Sequence, residues 1–198
     1  MLKKIRNKLE KLKHYDKITG MSEIIRRYFV MNAFDGALTI FGVLLGTYSA
    51  NITDPAMIIR IGLTACFAVG ISGLWGAFLT ESAEGKREIR SLERAMHRKL
   101  DNTEIGNAYN TAKYITSIVY GLSPFLAGLI ILIPFGFPSA FPITIAYYAS
   151  FILAIGVFFF LGIYLGAVSK DNIIISGLKL VTAGLVCMIV AALLGLPA

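Results

Sequence analysis

The residues of this chain best able to do chemistry are carboxylates set in, or directly beside, long apolar sequence. Asp35 interrupts the run from Tyr28 to Ala50, and Met31, Asp35 and Thr39 recur there at i, i+4 and i+8, one face of a helix. Asn32 lies next to that stripe, and Gly36 thins the helix beside the carboxylate. A charge at membrane depth costs about 2.5–3.5 kcal/mol on insertion scales, so it must meet a partner, a cavity or an ion. A thioether, a carboxylate, an amide and a hydroxyl along one face can coordinate a divalent cation as it sheds water. The soft Met31 sulfur favours a transition metal over magnesium. The competing reading is structural, with Asp35 neutral or hydrogen-bonded between helices and Met31 only filling space.

A second acidic set follows the next apolar run. Glu81, Glu84 and Glu88 lie at i, i+3 and i+7 and share one face, where like charges repel unless something positive meets them. That partner is either a metal ion or the neighbouring Lys86, Arg87 and Arg90. Glu93 and His97 also have metal-ligand spacing, but a salt-linked surface explains a lone Glu/His pair as well. GxSxG, HExxH, P-loop and dinucleotide-binding patterns are all absent, and His14 and His97 fall outside the apolar runs, so the chain is not expected to be an enzyme. Cys66 and Cys187 sit singly within apolar runs and read as packing.

The elements that must hold these residues are transmembrane helices. With 56% apolar residues in 198 and a mean hydropathy of +0.70, the chain is far more apolar than a soluble domain, in which about a quarter of residues are charged. A bilayer core of about 30 Å needs about 20 apolar residues per helix, and the alternating segments of a β-barrel are missing. Five spans are expected, at about 28–50, 56–80, 111–133, 143–168 and 173–196. Pro55 suits the first helical position of span 2, Arg60 can snorkel to the interface, and Pro124 should kink span 3. The helix of span 2 should continue into water, making 81–110 a polar helical segment with a turn at 101–104. Residues 1–27, with apolar Leu2, Ile5, Leu9 and Leu12 on one face and bases elsewhere, read as an amphipathic helix on an anionic membrane surface. They lack the apolar core and cleavage site of a signal peptide.

Nine Lys or Arg precede span 1, seven lie between Glu81 and Lys113, and Lys170 joins spans 4 and 5; the links 51–55 and 134–142 hold none. The positive-inside rule then places the N-terminus in the cytoplasm and the C-terminus outside. The same topology accounts for the net charge of +7 without nucleic-acid binding. Gly42 and Gly46 in span 1, and Gly162 and Gly166 in span 4, form small-xxx-small faces that permit close helix approach, within a subunit or across a dimer.

The segment Asn32-Ala-Phe-Asp35-Gly36-Ala-Leu-Thr39-Ile-Phe41-Gly-Val-Leu-Leu-Gly46 resembles the Asp-Gly-rich first span of the vacuolar iron transporter family. Gly70-Ile-Ser72-Gly-Leu-Trp-Gly76-Ala-Phe78-Leu-Thr-Glu81-Ser-Ala-Glu84 looks like that family's second span, which runs into an acidic cytoplasmic helix. The resemblance implies a homodimer whose first spans line a central path, carrying ferrous iron or a similar divalent metal out of the cytosol in exchange for protons. Asp35 corresponds to the family's membrane-embedded Asp, and Glu81, Glu84 and Glu88 to the start of its acidic helix. Two features depart from the family pattern. Gly73 and Gly76 or Ala77 stand where the family has a Met and often a Glu, and the long cytoplasmic metal-binding helices are cut to one short polar stretch.

These observations lead to an expected all-α, multi-pass protein, five spans with an amphipathic N-terminal helix, in a cell membrane. Its expected work is proton-coupled export of iron(II) or manganese, with Asp35 as ligand and proton acceptor and Glu81 and Glu84 collecting the ion. No permanently bound cofactor is expected. The rival expectation is a non-transporting membrane scaffold that holds lipid or a partner on its basic N-terminal face, or a family member with another substrate.

Overall fold

In the computed structural model, described for residues 2–100, 103–139 and 141–193, the chain is helical throughout and no β-strand occurs among the described residues. Six α-helices run in order: α1 (Leu2–Thr19), α2 (Met21–Ser49), α3 (Pro55–Met96), α4 (Glu104–Leu132), α5 (Ile143–Ser169) and α6 (Ile173–Leu193), with a 3-10 turn at Ile133–Gly136. The five from α2 to α6 are long and apolar enough to cross a membrane, which makes this a multi-pass membrane protein. Leu2, Ile5 and Leu9 of the N-terminal apolar face lie outside the described side chains, as do Asp101, Asn102, Ala140 and the expected end of span 5.

Each boundary has a local cause. The break between α1 and α2 falls at Gly20, whose φ of 62° is left-handed backbone that favours glycine, so the bases Arg26 and Arg27 ride on the first turns of α2. Asp16 secures the turn: its carbonyl accepts the Gly20 N–H at 2.8 Å and its carboxylate the Ser22 N–H at 2.6 Å. Pro55 takes the first turn of α3, and the Asp54 carboxylate accepts the Ala56 N–H at 3.0 Å as an N-cap. At 42 residues α3 is unbroken through Gly85, about 63 Å long at 1.5 Å per residue. Thr103 caps α4, its hydroxyl accepting the Gly106 N–H at 3.4 Å. Lys170, left-handed at φ 59°, ends α5, and the Asn172 side chain caps α6 through the Ile174 N–H at 3.1 Å.

The chain forms two compact units, Met1–Phe29 with Ser72–Gly121, and Val30–Ile71 with Leu122–Ala198. The second unit has an aromatic core. Phe41, 1% exposed, meets Phe151 and Phe158 edge-on at 5.7 and 5.8 Å. Tyr147 meets Phe135 edge-on at 5.0 Å and donates its hydroxyl to the Ile52 carbonyl at 2.9 Å, anchoring the α2–α3 link. Glycines let the backbones close in. A Cβ on Gly36 would lie 2.5 Å from the Pro124 carbonyl oxygen, and one on Gly128 would strike the Cys66 sulfur. Pro124 thus sits within continuous α4, fully buried against the smallest residue of α2. In α5, a Cβ on Gly162 would lie 2.5 Å from the Ser176 carbonyl oxygen of α6, and one on Gly166 would lie 2.8 Å from the Ser176 Cβ.

In the first unit the ordering group is Tyr120. It meets Tyr28 edge-on at 4.8 Å, and it fills the space above Gly73, where a Cβ would lie 2.8 Å from its ring. Phe78 and Tyr114 pair at 5.7 Å, with the Lys113 ammonium 4.9 Å from the Tyr114 centroid. His14 of α1 meets Glu104 of α4 at 3.3 Å.

Candidate functional site

Asp35 stands at the midpoint of α2, fourteen residues from either end. Its side chain is exposed on the chain's surface, as is Met31 at 53%, and Thr39 is half-buried on the same stripe. The stripe continues one and two turns on through Gly42 and Gly46, where an added Cβ would meet nothing within 4 Å. Gly36 faces the other way, onto Pro124, and Asn32 is buried at 3% toward the interior. Met31, Asp35 and Thr39 therefore share an open face, and Asn32 is set apart from it. The Thr39 hydroxyl donates to the Asp35 carbonyl at 2.7 Å, which leaves its oxygen lone pairs available outward. Among the described residues no hydrogen bond or ion pair reaches the Asp35 carboxylate.

The three glutamates of α3 have separate surroundings. Tyr28 donates its hydroxyl to Glu81 Oε1 at 2.8 Å, and Tyr28 is itself held by Tyr120 and by the Arg27 guanidinium 5.5 Å from its ring centroid. Glu81 is thus half-buried with one oxygen engaged, and among the described residues no partner reaches the other. Glu84, exposed, meets Arg87 at 3.7 Å, and Glu88 is exposed on the same helix. Among the described residues no three of His, Cys, Asp and Glu converge closely enough to hold a metal ion within one chain. Glu93 serves its own helix end, accepting the Leu100 N–H at 2.8 Å.

Two polar residues of the helices escape a reading of the sequence. Tyr28 looks like a border aromatic, and only the fold brings its hydroxyl to a glutamate 53 residues on. Lys179 is an exposed cation six residues into α6, about 9 Å along the helix, near enough to the end for its long stem to carry the ammonium to the interface. Its signal is plain in hindsight, a lone base in the last apolar run.

No known protein family's sequence profile matches the chain. Over 162 residues it is 32% identical to the uncharacterized protein MJ0645 of the archaeon Methanocaldococcus jannaschii, an alignment that covers 80% of this chain and 82% of that protein. At that identity and coverage, the chain belongs to the family of that archaeal protein.

Proposed function

We propose that the chain is a proton-coupled transporter of a divalent transition metal, iron(II) or manganese, that works as a homodimer with its N-terminus in the cytoplasm of a prokaryotic-type cell. The observation that carries this reading is the Asp35 carboxylate, exposed at the centre of a membrane-length helix on a face where Gly42 and Gly46 present no side chain. Exposed to lipid, that charge is costly; facing a second copy across the glycines, it borders a shared polar route. Two copies would bring two Asp35 carboxylates, two Met31 thioethers and two Thr39 hydroxyls to one path, a mixed hard and soft donor set suited to a first-row metal. A carboxylate there exchanges a proton for the ion as the ion passes, which couples the two fluxes. Glu81, steadied by Tyr28, with Glu84 and Glu88 on the polar length of α3, would gather the cation. The resemblance of the Asp35 and Glu81–Glu84 segments to the vacuolar iron transporter family supports the same assignment and the outward direction of transport.

The test is flux. In vesicles with an imposed proton gradient, wild-type protein carries ferrous or manganous ion, and Asp35→Ala carries at least about tenfold less, as expected when a ligand that is also the proton site is lost. Equal flux in both would remove Asp35 from the mechanism and leave the scaffold reading in place.

A further inference from the structure

The far end of α3 carries a cationic cleft that metal transport does not use. Arg90, Glu93, Arg94, His97, Arg98 and Lys99 surround a shallow, largely open depression of about 320 Å³. The chain reverses there without glycine or proline. His97 takes a left-handed φ of 50°, the Arg98 N–H donates to the Glu93 carbonyl at 3.3 Å, and the Leu100 N–H donates to the Glu93 carboxylate at 2.8 Å. Leu100, 2% exposed, is buried directly after this turn.

This geometry uses the one acid of the cleft to hold the backbone and leaves four permanent cations around the opening. None of the four forms an ion pair among the described residues. Arg90 and Arg94, four residues apart on α3, share one helical face, and the turn at His97 brings Arg98 and Lys99 to the same opening. Like charges held this close repel, and the C-terminal end of the helix dipole offsets only part of that repulsion. Guanidinium groups offer forked donors that match phosphate oxygens two at a time, and four cations around one opening exceed the charge of a single phosphate.

We propose that this cleft binds an anion bearing two or more phosphoryl groups. Arg90, Arg94 and Arg98 supply the paired donors, and Lys99 and His97 close the mouth. The ligand is either a dissolved polyphosphate or the headgroup of an anionic lipid. Glu81 precedes Arg90 by nine helical residues and the last residue of α3, Met96, by fifteen, so the cleft stands about 14–23 Å of rise beyond it, which favours a dissolved anion over a headgroup. The site is independent of the transport reading and stands or falls separately.

The probe is inorganic pyrophosphate, titrated calorimetrically at constant ionic strength into the full chain in neutral phosphatidylcholine nanodiscs. Saturable binding is expected, weakened at least tenfold by the double substitution Arg94→Gln/Arg98→Gln. Arg94→Lys, which keeps the charge and loses the fork, should weaken it severalfold. Arg87→Gln, whose guanidinium pairs with Glu84 outside the cleft, should leave it unchanged. Equal melting temperatures confirm that all variants are folded, as expected for exposed side chains. A second arm measures cardiolipin, whose headgroup carries two phosphates, retained through delipidation. Loss of retention in the double variant, with no pyrophosphate binding by the wild type, assigns the cleft to a lipid headgroup. Pyrophosphate binding unchanged by the double variant, or no binding together with equal lipid retention, overturns the proposal.

Discussion

Replacing Gly162 by alanine tests whether the α5–α6 seam is as close as its geometry requires. The added Cβ would lie 2.5 Å from the Ser176 carbonyl oxygen and 2.6 Å from the Gly177 Cα, both backbone atoms that cannot swing aside. Ordinary van der Waals contact begins near 3.4 Å, so the helices must part by nearly 1 Å, loosening Gly166 against Ser176 and Gly177 against Phe159 as they do. Overpacking of this kind costs about 1–3 kcal/mol. Gly156, on the same helix, has nothing within 4 Å of its added Cβ. Alanine there meets no obstacle and gains up to about 1 kcal/mol of helix propensity. The two substitutions are chemically identical and share the same gain in helix propensity, so the expected gap between them is the overpacking cost, about 1–3 kcal/mol. Equilibrium unfolding in mixed detergent micelles, followed by far-UV circular dichroism, measures both. Equal stability for the two variants would refute the reasoning, because it would mean that the seam yields without cost.

Three further substitutions probe the other contacts. Phe41→Ala should cost about 3–5 kcal/mol in the same unfolding assay, since it leaves a void between Phe151 and Phe158 at a site that is 1% exposed. Tyr28→Phe removes the donor to Glu81 and should cost about 1.5–3 kcal/mol, the range for a hydrogen bond to a charged group, if the carboxylate is held as tightly as its 2.8 Å contact indicates; a Glu81→Gln background should shrink the effect. Gly42→Leu with Gly46→Leu should leave the unfolding of a single chain unchanged, because both positions are open, and should abolish the dimer in light scattering of the detergent-solubilised protein. A dimer that survives both leucines would place the second copy elsewhere.

Much of the helical layout was legible because apolar runs of membrane length have one physical solution, hydrogen bonds satisfied within each helix. Pro55 and Asn172 are ordinary start signals, and the unbroken α3 follows from the lack of any breaker stronger than Gly85. The junction at Gly20 is harder to see. Bases and apolar residues alternate on both sides of it, so no change of pattern marks the place, and only the left-handed φ reveals it. The stop at His97 is invisible for a related reason, since Glu93 supplies by a long-range side-chain bond what a glycine would supply by conformation. For Asp35, helical spacing groups Met31 and Thr39 with it, but it does not say which side of α2 is covered. That depends on Pro124, 88 residues on, meeting Gly36, and this contact turns Asn32 inward and leaves the acid outward.

The fit of Cys66 against Gly128 has a practical corollary. The thiol is 1% exposed and has no room beside it, so an alkylating reagent must wait until α3 and α4 separate locally. Its modification rate is therefore a clock for the breathing of that helix pair, carried by the native sequence and needing no introduced label.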